Sequence, residues 1–155
     1  MKKLLFLDFD GVLNPLDWIQ SEPRVKYVEG ESKLWRYDPN CVFLLNDILD
    51  KTDCDIVLSS SIRKFAEFDK LISNFLKMGI NKPIIGMTGW DWDKPKRDDE
   101  ILDWLKNKND IKYIVVDDEQ HDLQYHKEKG LLIKTNTKIG LNRRNVDDAI
   151  LILNS

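Results

Sequence analysis

Asp8 and Asp10 stand one residue apart at the end of a short apolar run, Leu4-Leu5-Phe6-Leu7, with Gly11 directly behind them. A strand rich in Leu and Phe that stops there delivers two carboxylates to one tip, and Gly11 frees the backbone to turn sharply beside them. That placement suits phosphate chemistry, in which one carboxylate attacks and a second group moves a proton. Alone the pair is a modest signal, since acidic turns are common at strand ends and metal-dependent sugar transferases also use Asp-x-Asp. Three further elements follow in order: Ser59-Ser60-Ser61 closing a second apolar run, the basic cluster Lys94, Lys96 and Arg97 ahead of a helical stretch, and Asp117-Asp118 closing a later run.

The elements that would position these residues alternate along the chain. Apolar runs at 3–9, 55–59, 83–85, 112–116 and 131–134 predict five strands, with helical patterns between them. Asp38-Pro39 reads as an N-cap followed by proline in the first turn, opening a helix to about Asp50 that buries Phe43, Leu44, Ile48 and Leu49. A second helix, about Lys64 to Met78, carries the stripe Phe65, Phe68, Leu71, Ile72, Phe75 and Leu76 and stops at Gly79. Further helices are expected at about 98–107, briefly after Asp118, and from about Asn145, where Leu151 or Leu153 is buried. The pattern is that of an α/β, Rossmann-like parallel sheet of about five strands in a single domain over residues 1–155. In such sheets ligands sit beyond the carboxyl ends of the strands, and all four elements lie at such ends.

Between the first strand and the first long helix, residues 14–37 form a short insertion with Pro15, Pro23 and Gly30 and no clean period. Trp18, Tyr27 and Trp35 alternate there with Arg24, Lys26, Lys33 and Arg36, the character either of a small substrate-gripping flap or of a loop folded onto the domain.

The net charge of −3 gives no global affinity for nucleic acid, so any basic binding surface must be local, at Lys94, Lys96 and Arg97 or at Arg143 and Arg144. With 42% hydrophobic and 33% charged residues the chain falls among globular proteins rather than disordered or membrane ones. The opening Met1-Lys2-Lys3 and its apolar run resemble a secretory signal, but Asp8 and Asp10 cut the run short, which points to a first core strand in a cytoplasmic protein. The two cysteines, Cys41 and Cys54, lack metal-ligand spacing and read as small buried thiols. His121 and His126 are expected at the surface, with His121 a rim contact.

Taken together, Asp8-Phe9-Asp10-Gly11, the serine turn, the helix-starting cation and Val116-Asp117-Asp118 resemble the four motifs of the haloacid dehalogenase (HAD) superfamily of phosphohydrolases. More narrowly, Ser59-Ser60-Ser61-Ile62-Arg63, Glu100-Ile101-Leu102-Asp103-Trp104-Leu105 and Gly140-Leu141-Asn142 resemble the small HAD domain found in RNA-repair proteins. The resemblance implies phosphomonoester hydrolysis through an aspartyl-phosphate. Asp8 is then the nucleophile and Asp10 the general acid and base. Mg²⁺ is expected on Asp8, Asp10 (through its carbonyl), Asp117 and Asp118; a carboxylate site without thiol or imidazole favours that hard ion. Ser60 is the favoured phosphoryl ligand and Ser59 its register alternative. Arg97 leads Lys96 and Lys94 as the balancing cation, with Gly11, Ser61, Arg63 and Lys96 as substrate contacts.

The short insertion implies an essentially capless, open cleft, suited to a terminal phosphate on something large such as a nucleic-acid end. A small-molecule phosphatase and a non-catalytic phosphate-binding module are the alternatives. Arg63 could also steady the serine turn, and Trp90 and Trp92 either stack a nucleobase or anchor their loop. No membrane partner and no obligate protein partner is implied.

Overall fold

Leu4, Leu5, Phe6 and Leu7 have no solvent exposure, which requires that their strand be covered on both faces and paired on both edges. The structure is a computed structural model and describes residues 1–21, 23–90, 93 and 96–155. In chain order the elements are β1 (Lys2–Leu7), α1 (Leu16–Ile19), β2 (Lys26–Tyr27), β3 (Arg36–Tyr37), α2 (Pro39–Thr52), β4 (Asp55–Leu58), α3 (Phe68–Lys77), β5 (Ile84–Met87), α4 (Arg97–Leu105), β6 (Ile111–Asp117), α5 (Gln124–Glu128), β7 (Leu132–Lys134) and α6 (Arg143–Asn154). The main sheet has five parallel strands in the order β5-β4-β1-β6-β7, the expected Rossmann-like α/β arrangement. The chain winds outward from β1 to β4 and β5, then crosses back to β6 and β7. That reversal puts the crevice at the carboxyl ends of β1 and β6.

Side-chain alternation divides the core. Leu5, Leu7, Ile56, Leu58, Ile114 and Val116 face the layer that includes residues of α2, α3 and α6. Leu4, Phe6, Val57 and Val115 face the other layer, with Ile101 and Trp104 of α4 and with Leu123. Phe6 meets Trp104 and Tyr113 edge-on at 5.5 and 5.6 Å between ring centroids.

Helix α2 starts as its sequence requires: the Asp38 side chain accepts the Asn40 N–H at 2.9 Å, and Pro39 takes the first helical position. Phe43 is 65% exposed, because the buried face of α2 is made by Cys41, Val42, Leu44, Leu45, Ile48 and Leu49 and position 43 points away from it. The helix expected over 64–78 is broken. Ser60 caps a 3₁₀ turn over Ser61–Lys64, and α3 begins only at Phe68. Phe65 therefore falls in the connection and is 66% exposed, while Leu71, Asn74 and Phe75 form the buried side of α3 and leave Leu76 out. Leu153, not Leu151, is buried on α6.

The insertion lies against the domain. Trp35 packs beside Phe9 and Phe75 at centroid distances of 6.5 and 6.3 Å, Val28 joins the same core, and Trp18 donates its indole N–H to the Tyr37 carbonyl at 2.8 Å. Leu16 and Asp17 hydrogen-bond through their backbone N–H groups to the carbonyls of Thr137 and Lys138. Both cysteines are free and buried. No helix among the described residues is long and apolar enough to cross a membrane.

Candidate active site

The registers Leu7↔Leu58 and Leu7↔Val116 place Asp8, Ser59 and Asp117 level with one another, Asp8 and Ser59 one residue past β1 and β4 and Asp117 the last residue of β6. The ladder continues into them: Ser59 donates its N–H to the Leu7 carbonyl at 2.8 Å and Asp8 to that of Val116 at 2.9 Å. By alternation all three belong to the α4 face, with Phe6, Val57 and Val115. From that layer Arg97, the first residue of α4, reaches Asp117 Oδ2 at 2.5 Å and Asp8 Oδ1 at 3.4 Å through one nitrogen, Nη1. Of the basic cluster, Arg97 is the cation brought to the acidic tips; Lys96 is exposed at the helix N-cap, and Lys94 lies outside the described residues, as does Trp92.

Asp8, Asp117 and Asp118 each present an oxygen within 4.8 Å of the others. Burial, then the neighbouring Asp117, push the Asp8 carboxyl well above the ordinary range, against the opposing pull of Arg97. Burial likewise raises Asp117, although Arg97 and the Glu119 N–H, which donates to Oδ1 at 2.9 Å, favour its charge. Burial also works against the charge on Arg97, but Asp117 and Asp8 more than offset it and hold the guanidinium above its usual value. Three crowded carboxylates with one cation leave an excess of negative charge in a hard-oxygen pocket, the donor set that fits Mg²⁺.

Gly11 explains how these strand ends approach so closely. Its φ is +76°, and a Cβ there would lie 2.0 Å from Asp118 Oδ2. The same Asp118 Oδ2 accepts the Thr137 hydroxyl at 2.9 Å, and Thr135 donates its hydroxyl to the Gly11 carbonyl at 2.9 Å. Asp10 is exposed and outside the carboxylate trio; Asn14 Nδ2 donates to its Oδ1 at 2.8 Å.

The serines divide by face. Ser60 Oγ accepts the Ile62 N–H at 3.3 Å and serves as a cap, Ser61 is exposed in the turn, and Ser59 Oγ is buried without a partner among the described residues. Thr88, which follows the Leu58↔Met87 pair and so stands level with Ser59, has a buried and unpartnered hydroxyl as well. Arg63 is buried and points its guanidinium inward: Nη1 donates to the Ser60 carbonyl at 2.7 Å and Nη2 to Glu100 at 2.6 Å. These are the contacts of a residue that steadies the serine turn. Trp90 lies over it, 5.4 Å from ring centroid to Cζ, and over Lys64 at 5.6 Å.

Other residues of this neighbourhood carried weaker signals in the sequence. Asn14 interrupts the apolar Val12-Leu13 four positions after Asp10, and Glu100 lies three after Arg97, both at spacings where side chains meet across a turn. Thr137 has no local signal, since only the fold brings it to Asp118. His126 is the correction among the histidines: it is fully buried, with Nδ1 at 2.5 Å from Asp98 Oδ1 and Nε2 at 3.2 Å from the Tyr113 hydroxyl, because Asp98 also accepts the Tyr125 N–H and ties α5 to α4. His121 is exposed.

A parallel α/β sheet with carboxylates at the tips of β1 and β6 and a helix-borne cation between them is the Rossmann-like architecture of the HAD class, with an acidic cluster in its crevice. The chain belongs to the family of HAD domains in Swiss Army Knife RNA repair proteins, which it matches over residues 4–146. No curated protein matches it.

Proposed function

We propose that the protein is a Mg²⁺-dependent phosphomonoesterase working through Asp8. The observation that carries this reading is Asp8 itself, buried at a strand tip, 3.4 Å from Arg97 and within 4.8 Å of two further carboxylates. A phosphate monoester resists attack because it is wrapped in negative charge, so the nucleophile must be held in line and the charge balanced as the bond breaks. Asp8 forms a bond to phosphorus as the ester P–O bond breaks, and Asp10 gives its proton to the leaving oxygen. Asp10 then takes a proton from the water that hydrolyses the aspartyl-phosphate, restoring both carboxyls. Asp8, Asp117 and Asp118, with the Asp10 carbonyl, would hold Mg²⁺, which when bound supplies positive charge to the phosphoryl oxygens.

We assign the phosphoryl hydroxyl to Ser59 rather than Ser60, since Ser59 shares the face of Asp8 and has a hydroxyl without a partner, whereas Ser60 caps its turn. Arg97 balances the charge. Arg63 acts through the turn rather than on substrate, and Gly11 by allowing close approach of the strand ends.

The substrate we favour is a terminal phosphate on a nucleic acid or nucleotide. The family's description names RNA repair, the insertion is packed down rather than arched over the site, and exposed Phe65 and Trp90 lie past the ends of β4 and β5, where a base can stack. We place this reaction in the cytoplasm, where two buried unpaired thiols persist. The test is hydrolysis with and without Mg²⁺ across nucleotides, sugar phosphates, phosphopeptides and phosphorylated oligonucleotides. Mg²⁺-dependent turnover, fastest on oligonucleotide ends and abolished in a folded Asp8→Asn variant, is expected. Full activity of that variant refutes the covalent role, and faster turnover of free nucleotides refutes the substrate.

A further inference from the structure

We propose that Asn14 is a positioning residue that aims the Asp10 carboxyl at the leaving group, an inference that rests on the phosphomonoesterase reading above. Asn14 is 4% exposed, and both ends of its amide are engaged within one turn: Nδ2 donates to Asp10 Oδ1 at 2.8 Å, and Oδ1 accepts the Gly11 N–H at 3.0 Å. The second bond settles the orientation of the amide, because an N–H can only meet its oxygen, so the nitrogen faces Asp10.

Asp10 needs such a guide. Its side chain is exposed, stands apart from the carboxylate trio, and has Asn14 Nδ2 as its only hydrogen-bond donor among the described residues. An exposed carboxyl on a turn otherwise samples several rotamers, and a small misplacement of a proton donor costs a large factor in rate. With Oδ1 accepting from the amide, Oδ2 is left as the oxygen that carries and delivers the proton. The P–O bond of the ester then breaks with its electron pair on the leaving oxygen, which takes that proton, while Asp8 closes on phosphorus.

The turn keeps its shape by other means, which separates Asn14 from a simple staple. Val12 and Leu13 both donate their N–H groups to the Phe9 carbonyl, at 3.2 and 3.0 Å, and Leu141 donates to the Val12 carbonyl at 3.0 Å. Gly140 allows that last approach, since a Cβ there would stand 2.8 Å from the Val12 carbonyl oxygen.

Leaving-group dependence tests the proposal. An alkoxide must be protonated as it departs, whereas a nitrophenolate leaves readily without help, so an ill-placed acid harms alkyl esters selectively. Steady-state kinetics with Mg²⁺ on a nucleoside monophosphate and on 4-nitrophenyl phosphate would compare wild type, Asp10→Asn, Asn14→Leu and Asn14→Asp. Asn14→Asp keeps the acceptor for the Gly11 N–H and sets a charged carboxylate oxygen where the donor to Asp10 stood, so it turns the Asp10 carboxyl away without emptying the turn and remains informative if Asn14→Leu misfolds.

The expected result is a loss in kcat/KM, which reports the transfer to Asp8 and not the later hydrolysis common to both substrates, of about tenfold to a hundredfold on the alkyl ester, against less than about threefold on the aryl ester. Asp10→Asn should show the same selectivity at larger size. Equal losses on both substrates, or no loss, in folded Asn14 variants would overturn the role of Asn14 while leaving the phosphatase reading intact. Wild type inactive on both esters, or Asp10→Asn indifferent to the leaving group, would instead bring down the reading beneath it and this inference together.

Discussion

Replacing Asp8 by Asn in the metal-free protein removes one charge from a crowded trio, and the structure gives the sign and size of the effect. With oxygens no more than 4.8 Å apart, Asp8 repels each of Asp117 and Asp118 by at least about 3.5 kcal/mol at an effective dielectric constant of about 20. Arg97, 3.4 Å away, returns about 5 kcal/mol on the same scale. The repulsions exceed the attraction by about 2 kcal/mol, and burial of the charge adds to the imbalance. Asp8→Asn should therefore stabilise the metal-free protein at neutral pH, raising Tm by roughly 4–8 °C for a chain of this size.

The pH dependence follows from the raised Asp8 pKa. The folded state holds that proton more tightly than the unfolded state, whose carboxyl titrates near pH 4, so the wild-type penalty is absent below that pH. It grows as pH rises toward the folded-state pKa and is complete above it. Thermal unfolding in a chelator from pH 4 to 8 should show the variant's advantage widening with pH. With Mg²⁺ at a hundred times its Kd the wild type gains about 2.7 kcal/mol, and the variant, missing a ligand, gains less, so the order narrows or reverses. An Asn variant less stable than wild type at neutral pH in chelator, or an advantage as large at pH 4 as at pH 7, would refute the electrostatic argument.

Ser59→Ala should leave Tm unchanged or slightly higher, since its buried hydroxyl has no partner, yet cut phosphatase activity, whereas Ser60→Ala should lose about 1 kcal/mol with the cap; thermal melts and kcat/KM on both variants distinguish them. Gly11→Ala forces a side chain onto Asp118 at a left-handed backbone position, so calorimetry should show at least about 1–2 kcal/mol of destabilisation and titration calorimetry a weakened Mg²⁺ affinity. Arg63→Met leaves Glu100 buried without its cation and should cost about 3–5 kcal/mol in denaturant unfolding, a loss that Arg63→Met with Glu100→Leu should largely restore.

The strands and their acidic tips were legible because local rules sufficed: apolar runs set β1, β4 and β6, and a polar residue at the end of each marks where the run stops. Arg97 could be preferred over Lys96 because it stands at the start of a helical stretch, whereas Lys94 and Lys96 flank Pro95. The choice between Ser59 and Ser60 depended on strand parity, and a run of three serines erases the pattern that reports it. His126 was misread for a different reason. Its sequence neighbours Lys127, Glu128 and Lys129 are exposed, and only the packing of α5 on α4 supplies the Asp98 that makes a buried imidazole tolerable. Phe65 and Phe43 satisfied the composition of an apolar stripe without lying on its face.

The first turn of α4 joins these observations. Three residues within four positions each tie a different element: Arg97 the acidic tips of β1 and β6, Asp98 the imidazole of α5, and Glu100 the guanidinium that holds the turn after β4. Acidic side chains at a helix N-terminus suit its dipole, which explains Asp98, Asp99 and Glu100 there but not the burial of ion pairs beside them. Burial pushes the Glu100 carboxyl up and the Arg63 guanidinium down, so this pair is a poor device for stability alone. What it provides is placement. With β4, β6 and α5 all fastened to one helical turn, Arg97 is held against the Asp8 and Asp117 carboxylates, and on the function proposed above the balancing cation is in position before substrate arrives.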